Sequence, residues 1–168
     1  MKTIYLAGGC FWGVQKYFDQ FGGVVNTVTG YANGNTANPA YEDVKAQKTG
    51  HAETVKVEFD EKILPVTKLL RLYFQVIDPL SVNRQGGDEG IQYRTGIYYD
   101  DPSLLPEIKA RIAAVEQQVG KPLAVEVKPL ENFYPAEDRH QKYLEKNPQG
   151  YCHIDRCFFG RAQKRNLE

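Results

Sequence analysis

The chain has 168 residues, enough for one domain that buries about two-thirds of the surface its unfolded form exposes. Its 21 basic and 21 acidic side chains cancel, which removes the electrostatic basis for binding nucleic acid or an anionic membrane surface. No apolar run approaches the ~18 residues of a membrane span, and three cysteines, an odd number, do not make a secreted disulfide framework, so the composition suits a cytoplasmic protein with working thiols.

The first predicted element is a buried strand over Thr3 to Ala7, rich in β-branched and aromatic residues. The opening through Cys10 has the outline of a lipoprotein signal. Its apolar stretch is shorter than the roughly 7–15 residues of a signal core, however, and a helical pattern continues past the cysteine. In that pattern Phe11, Val14, Tyr17, Phe18 and Phe21 recur at helical spacing, and Gly22 and Gly23 end it. Cys10 therefore stands where a strand hands over to a helix. Unpaired backbone N–H groups and the positive end of the helix dipole favour a thiolate there. Gly8 and Gly9 allow a tight turn that leaves the sulfur uncovered, and Trp12 offers an apolar wall beside it. The same local residues also describe a buried structural cysteine at a βα turn.

Val24 to Val28 is rich in β-formers, and Gly30 to Pro39 reads as a polar, glycine-rich loop of the kind that lines a site. Pro39 opens a helical turn with Tyr41, Val44 and Gln47. Thr54 to Phe59 alternates as a half-buried strand with Glu53 at its entrance. A helix opens at Pro65, with Leu69, Leu70, Leu72, Tyr73, Val76 and Ile77 on a broad apolar face, and ends at Asp78 and Pro79. Ser81 to Gly90 is a second polar loop, Tyr93 to Tyr99 a strand broken by Gly96, Pro102 to Val119 an amphipathic helix, and Leu123 to Val127 a strand. After Pro129 come a Phe133, Tyr134 pair, a short helix from Glu137 to Glu145, and a coil-rich tail. Irregular alternation of strands and helices predicts an α/β two-layer sandwich, helices on a mixed β-sheet. The glycine-rich loops hold no phosphate-binding signature, so no nucleotide is expected.

The block Gly9 to Gly13, together with Gly50 to Glu53, Gly86 to Thr95, Ala136 to Leu144 and Asn147 to Cys152, resembles the A-type peptide methionine sulfoxide reductases. The motifs fall in the family's order and span about residues 4 to 154; Asp155 to Glu168, with Cys157, falls outside the resemblance. The resemblance implies an α+β sandwich with a ferredoxin-like core. It describes one catalytic domain over residues 1–168, with residues 146–168 as the tail that carries a recycling cysteine. It implies reduction of methionine-S-sulfoxide, free or in a polypeptide, without metal, flavin or nucleotide, by a monomeric enzyme recycled by thioredoxin. By the same resemblance Cys10 is the nucleophile and Phe11 and Trp12 the pocket for the substrate's S-methyl group. Tyr41, Glu53, Asp88 and Tyr93 surround the sulfoxide oxygen, and Cys152 resolves the oxidised enzyme. Cys157 is left as an inert thiol or a second recycling thiol.

The chemistry asks for such residues. A sulfoxide oxygen leaves badly unless it is protonated or strongly hydrogen-bonded as charge develops on it, which two phenols and a carboxylic acid supply. Glu53 serves only if it enters with its proton, and its charged form would oppose a Cys10 thiolate, so the two are expected to titrate as a pair. A Cys10 sulfenic acid then condenses with a second thiol, whose Cα must come within roughly 7 Å. Taken singly, Tyr41 and Tyr93 read as core or surface aromatics and Glu53 and Asp88 as solvated carboxylates; the resemblance is what reverses those readings. His51 reads as structural and His140 as part of a solvated helix face. The rival classes are a zinc module on Cys152, His153 and Cys157 with Cys10 or His140, a Cys–His hydrolase, and a thiol sensor that only oxidises.

Overall fold

The computed structural model describes residues 1–159; residues 160–168, the end of the predicted tail, lie outside the described residues. Strands β1 (Lys2–Gly8), β2 (Val24–Ala32), β3 (Ala52–Phe59), β6 (Thr95–Tyr99), β7 (Glu126–Pro129) and β8 (Phe133–Pro135) form one sheet, ordered β7-β6-β1-β3-β2-β8. Its inner four strands, β6-β1-β3-β2, are all antiparallel, and with helices α1 (Phe11–Asp19) and α3 (Val66–Val76) they make the expected ferredoxin-like unit. Helix α4 (Leu105–Val119) then carries the chain over to β7, which runs parallel to β6 and makes the sheet mixed.

Period-two alternation decides what each face buries. Ile4 and Leu6 of β1, Val55, Val57 and Phe59 of β3, and Ile97 of β6 face the helix layer. There they pack with Phe11, Val14 and Phe18 of α1 and with Leu69, Leu70 and Tyr73 of α3. Tyr5, Ala7, Ala52 and Tyr98 point the other way, into a smaller cluster covered by Leu130 and Phe133. Glu53 shares the parity of Val55 and Val57. A carboxyl therefore enters the helix-side core, at the end of the sheet where α1 begins.

Several expected boundaries move, each for a visible reason. The loop expected from Gly30 is still strand through Ala32, because Gly30 to Ala32 pairs with both β3 and β8. Gly96 does not break β6; it pairs with Ala7, and a Cβ there would stand 2.6 Å from the Tyr98 ring. Tyr93 lies before that strand, in a 3-10 turn over Ile91–Tyr93, and the last predicted strand is displaced to Glu126–Pro129. The second polar loop holds a small hairpin, β4 (Arg84–Gln85) with β5 (Asp88–Glu89). Helix α2 (Tyr41–Lys45) starts two residues after Pro39, and Glu53 is the second residue of β3, not a residue before it. The expected helix from Glu137 to Glu145 is split into a 3-10 turn, Asp138–His140, and α5 (Tyr143–Lys146).

Candidate active site

Gly8 and Gly9 carry the chain from β1 into α1, and Gly9 takes a positive φ of 88° that disfavours any other residue. Cys10 follows as the N-cap of α1 and is buried, with 6% of its surface exposed. The next amide, Phe11 N–H, donates to Glu53 Oε1 at 3.1 Å, so the start of the helix is tied to β3 by a carboxyl that is itself 1% exposed. Burial pushes Glu53 up to about 8, opposed by that amide, so the side chain keeps its proton at neutral pH.

The electrostatics of Cys10 differ from the expectation of a thiolate. Burial and then the Glu53 carboxyl hold the thiol well above its usual value, and the Trp12 backbone amide at the helix end only partly opposes them. In the closed site desolvation outweighs the helix terminus. The resting pair is thus a thiol and a carboxylic acid, and a proton must leave when the thiol reacts.

The predicted polar residues do converge. Tyr41, at the start of α2, is pushed up to about 12 by burial, then by Glu53 and Cys10. Tyr93, in its 3-10 turn, is raised by burial and by Glu53, Tyr41, Cys10 and Asp88. Asp88 on the β4–β5 hairpin is also raised by burial, against His153, the Tyr151 hydroxyl and the Cys10 backbone amide. Two phenols that keep their protons and one protonated carboxyl therefore bear on the ground around a buried thiol. Such a site donates hydrogen bonds to an oxygen that gains charge.

The aromatic wall is organised differently from expectation. Phe11 has no exposed surface and packs between Tyr31 and His140, so it backs the site instead of lining it. Trp12 stacks on Tyr143 at 3.9 Å between ring centres and donates its indole N–H to His140 Nδ1 at 3.0 Å. His140 does not lie on a solvated face: it is 3% exposed and also packs against the Tyr41 ring, 4.4 Å away. Because its Nδ1 accepts from Trp12, the ring is neutral with its proton on Nε2, and burial lowers its pKa in keeping with that.

The segment around His140 is a clamp that residue spacing alone did not expose. Glu137 accepts from the Tyr31 hydroxyl at 2.8 Å and from the Tyr41 amide at 3.1 Å. Gln141 exchanges two bonds with the backbone of Thr29, as a strand neighbour would, and Lys142 N–H donates to buried Gln15 of α1 at 2.7 Å. These partners lie about a hundred residues apart in sequence, so the only signal for them was the motif from Ala136 to Leu144. His51 has the structural place expected of it: buried, its Nε2 at 2.7 Å from the Thr36 carbonyl oxygen.

The three cysteines are not joined by disulfides. Cys152 is half-buried against α1, where a Cβ at Gly13 would stand 2.9 Å from its sulfur, whereas Cys157 is exposed in a 3-10 turn over Arg156–Phe158. Among the described residues no three His, Cys, Asp or Glu side chains are gathered as metal ligands. Nor is any helix among them long and apolar enough to cross a membrane.

Residues 2–167 match the family described as peptide methionine sulfoxide reductase, so the match runs on past residue 154 and includes Cys157. The chain is 59% identical over 162 residues to peptide methionine sulfoxide reductase MsrA of Lachnoclostridium phytofermentans, covering 96% of this chain and 98% of that one. Among solved structures it is similar to Mxr1 from Saccharomyces cerevisiae in reduced form, with TM-score 0.86, 34% identity, and coverage of 92% of this chain and 91% of that chain. The complex of Mxr1 with Trx2 matches at TM-score 0.60 and 25% identity, over 84% of each chain. A buried thiol at a helix start, ringed by proton-holding phenols and a neutral carboxyl, suits the chemistry those relatives are named for, and with this identity across nearly the whole chain the protein belongs to the A family of peptide methionine sulfoxide reductases, which are oxidoreductases.

Proposed function

We propose that the chain reduces methionine-S-sulfoxide, free or in polypeptides, through a Cys10 sulfenic acid and a Cys10–Cys152 disulfide that thioredoxin opens. The observation that carries this reading is the buried Glu53 carboxyl, which keeps its proton up to about pH 8 while bonded to the amide next to Cys10. Sulfoxide bound against Trp12 places its oxygen among Glu53, Tyr41 and Tyr93, with Asp88 at the margin and Phe11 behind. Glu53 protonates the oxygen as the Cys10 sulfur attacks the sulfoxide sulfur; the hydroxyl then passes to the Cys10 sulfur as the sulfoxide S–O bond and the new S–S bond break, and methionine leaves. The thiol's own proton restores Glu53, and the oxygen ends on Cys10 as a sulfenic acid.

Cys152 then condenses with that sulfenic acid, releasing water. Thioredoxin is reducing enough to open an exposed functional disulfide, and the solved complex of the yeast relative with Trx2 supports it as the partner. Residues 1–168 act as one catalytic domain, a monomer suited to the cytoplasm, with the tail from residue 146 serving recycling. Separated R and S epimers of a methionine sulfoxide peptide, offered with dithiothreitol, test this: only the S epimer should yield methionine. Consumption of the R epimer at a comparable rate would refute the assignment.

A further inference from the structure

The residue after Cys152 has a place of its own in the site. His153 packs into the βα turn with its side chain 3% exposed. Its Nε2 lies 2.8 Å from the Gly8 carbonyl oxygen. A carbonyl only accepts, so Nε2 carries the proton and Nδ1 is a bare acceptor. That Nδ1 is buried and without a hydrogen-bond partner, and so is Asp88 Oδ2, which stands 3.9 Å from it. Two buried acceptors thus face each other across a gap that is one proton short. An added proton would turn the pair into an imidazolium opposite a carboxylate and satisfy the ring nitrogen.

The packing also brings the Cys152 thiol to the same place, its Sγ donating to the Ile154 carbonyl oxygen at 3.6 Å. A Cβ built at Gly13 would stand 2.9 Å from Cys152 Sγ and 3.4 Å from His153 Nδ1, so the sulfur and the bare nitrogen converge on the same glycine of α1. A Cβ at Gly9 would meet His153 Nε2 at 2.8 Å. The two glycines make room for the histidine and the thiol together. Cys152 needs such a neighbour, because burial raises its pKa against the backbone at Ile154 and the charge of Lys16.

We propose that His153, anchored on Gly8 and facing Asp88, positions Cys152 and accepts its proton when Cys152 attacks the oxidised Cys10. The proton passes from Cys152 Sγ to His153 Nδ1, and the thiolate attacks the sulfenyl sulfur of Cys10. The S–S bond forms as the Cys10 S–O bond breaks, and the departing hydroxide takes the proton and leaves as water. Cys152 is oxidised and the sulfenic acid is reduced, so no outside oxidant or reductant enters. Among titratable and charged groups, Asp88 of the hairpin faces the ring directly; Tyr151 and the Cys10 amide bond to Asp88, and Cys152 packs beside the ring with Lys16, in the last turn of α1, acting on its thiol. The inference rests on the Cys10–Cys152 disulfide proposed above.

Single-turnover experiments on the full chain test it. The enzyme is mixed with one equivalent of a methionine sulfoxide peptide, without reductant, and methionine release and thiol loss are followed from pH 6 to 9. His153→Gln keeps an N–H for the Gly8 carbonyl oxygen but has no basic nitrogen. It should release methionine as fast as wild type and form the Cys10–Cys152 disulfide roughly 10²-fold more slowly at pH 7, the deficit shrinking about tenfold per pH unit. Disulfide formation at the wild-type rate and pH profile in His153→Gln overturns the proposal, even if His153→Ala is slow, because only the anchor would then matter. If the variants release no methionine, the ¹⁵N spectrum of wild-type His153 decides. A bare Nδ1 that gains its proton on acidification sustains the proposal, and a proton fixed on Nδ1 overturns it. A wild type that releases methionine but forms no Cys10–Cys152 disulfide sinks the underlying reading instead.

Discussion

Glu53 sets a conflict between stability and chemistry within one side chain. Its folded-state pKa is raised from the ordinary 4.5 to about 8, so the folded protein holds a proton that the unfolded chain releases. Stability from this residue is therefore complete below pH 4.5, falls as pH rises to 8, and is level above that. The slope is about 1.4 kcal/mol per pH unit, or ~5 kcal/mol across the window. Glutamine has no charge to bury and can still accept from Phe11 N–H. Urea unfolding should thus find Glu53→Gln within about 1 kcal/mol of wild type at pH 5 and several kcal/mol more stable at pH 9. A gap that does not change with pH would mean that Glu53 is not a neutral acid in the folded state. In single turnovers Glu53→Ala should lose about 10²–10³ in rate, Glu53→Gln less, and Tyr41→Phe or Tyr93→Phe alone less again, because one phenol partly covers for the other. Cys10→Ser should be inactive with every reductant, since an alcohol cannot pass through a sulfenic acid; turnover at a tenth of wild type would remove Cys10 from its role.

Helix α1 carries Cys10 at its cap, Trp12 as its second residue, and the seat of Cys152 at Gly13. Alanine at position 13 would normally favour a helix by about 0.5–1 kcal/mol. Here its Cβ would come within 2.9 Å of Cys152 Sγ and push the tail outward. Gly13→Ala should therefore release one methionine per enzyme at the normal rate and lose about tenfold or more in thioredoxin-driven turnover. Normal recycling would show that the tail does not need this seat. Cys157 belongs to a different part of the tail, exposed in a 3-10 turn whose amide bonds to Asp155 at 2.9 Å. Mass mapping after one turnover should find Cys10 paired first with Cys152. Cys152→Ser should still yield one methionine but fail to cycle. If Cys157→Ser fails instead while Cys152→Ser cycles, the resolving cysteine is misassigned.

At the scale of the molecule, the sheet and its helix layer form a rigid base, and the site is assembled at one end of it from the starts of α1 and α2, β3, the hairpin and the tail. Leu70 of α3 is fully buried in the helix-side core. Leu70→Ala should cost ~2–5 kcal/mol in urea unfolding, mostly through the cavity it leaves. The single-turnover rate of the folded fraction should stay within about twofold of wild type, because α3 contributes no side chain to the site. A large rate loss without loss of stability would mean that the base transmits its packing to Cys10.

The sequence by itself determined the strands and helices of the core, the cysteine between β1 and α1, and, by resemblance, the residues that gather around it. Those features are local, written in periods of two and of three to four residues and in short motifs. Strand order and long-range partners were not legible, because periodicity says that a side chain is buried without saying against what. His140 reads as solvated among Glu137, Arg139 and Lys142, yet it is buried by Trp12, 128 residues away in the chain. Glu53 reads as one more charged residue at a strand end; only the docking of α1 over β3 removes its water and raises its pKa. Likewise a cysteine at a helix start reads as a thiolate until the fold closes over it and desolvation outweighs the helix end. Tertiary structure decided these protonation states because burial is a property of what covers a group, and the covering segments come from distant parts of the chain.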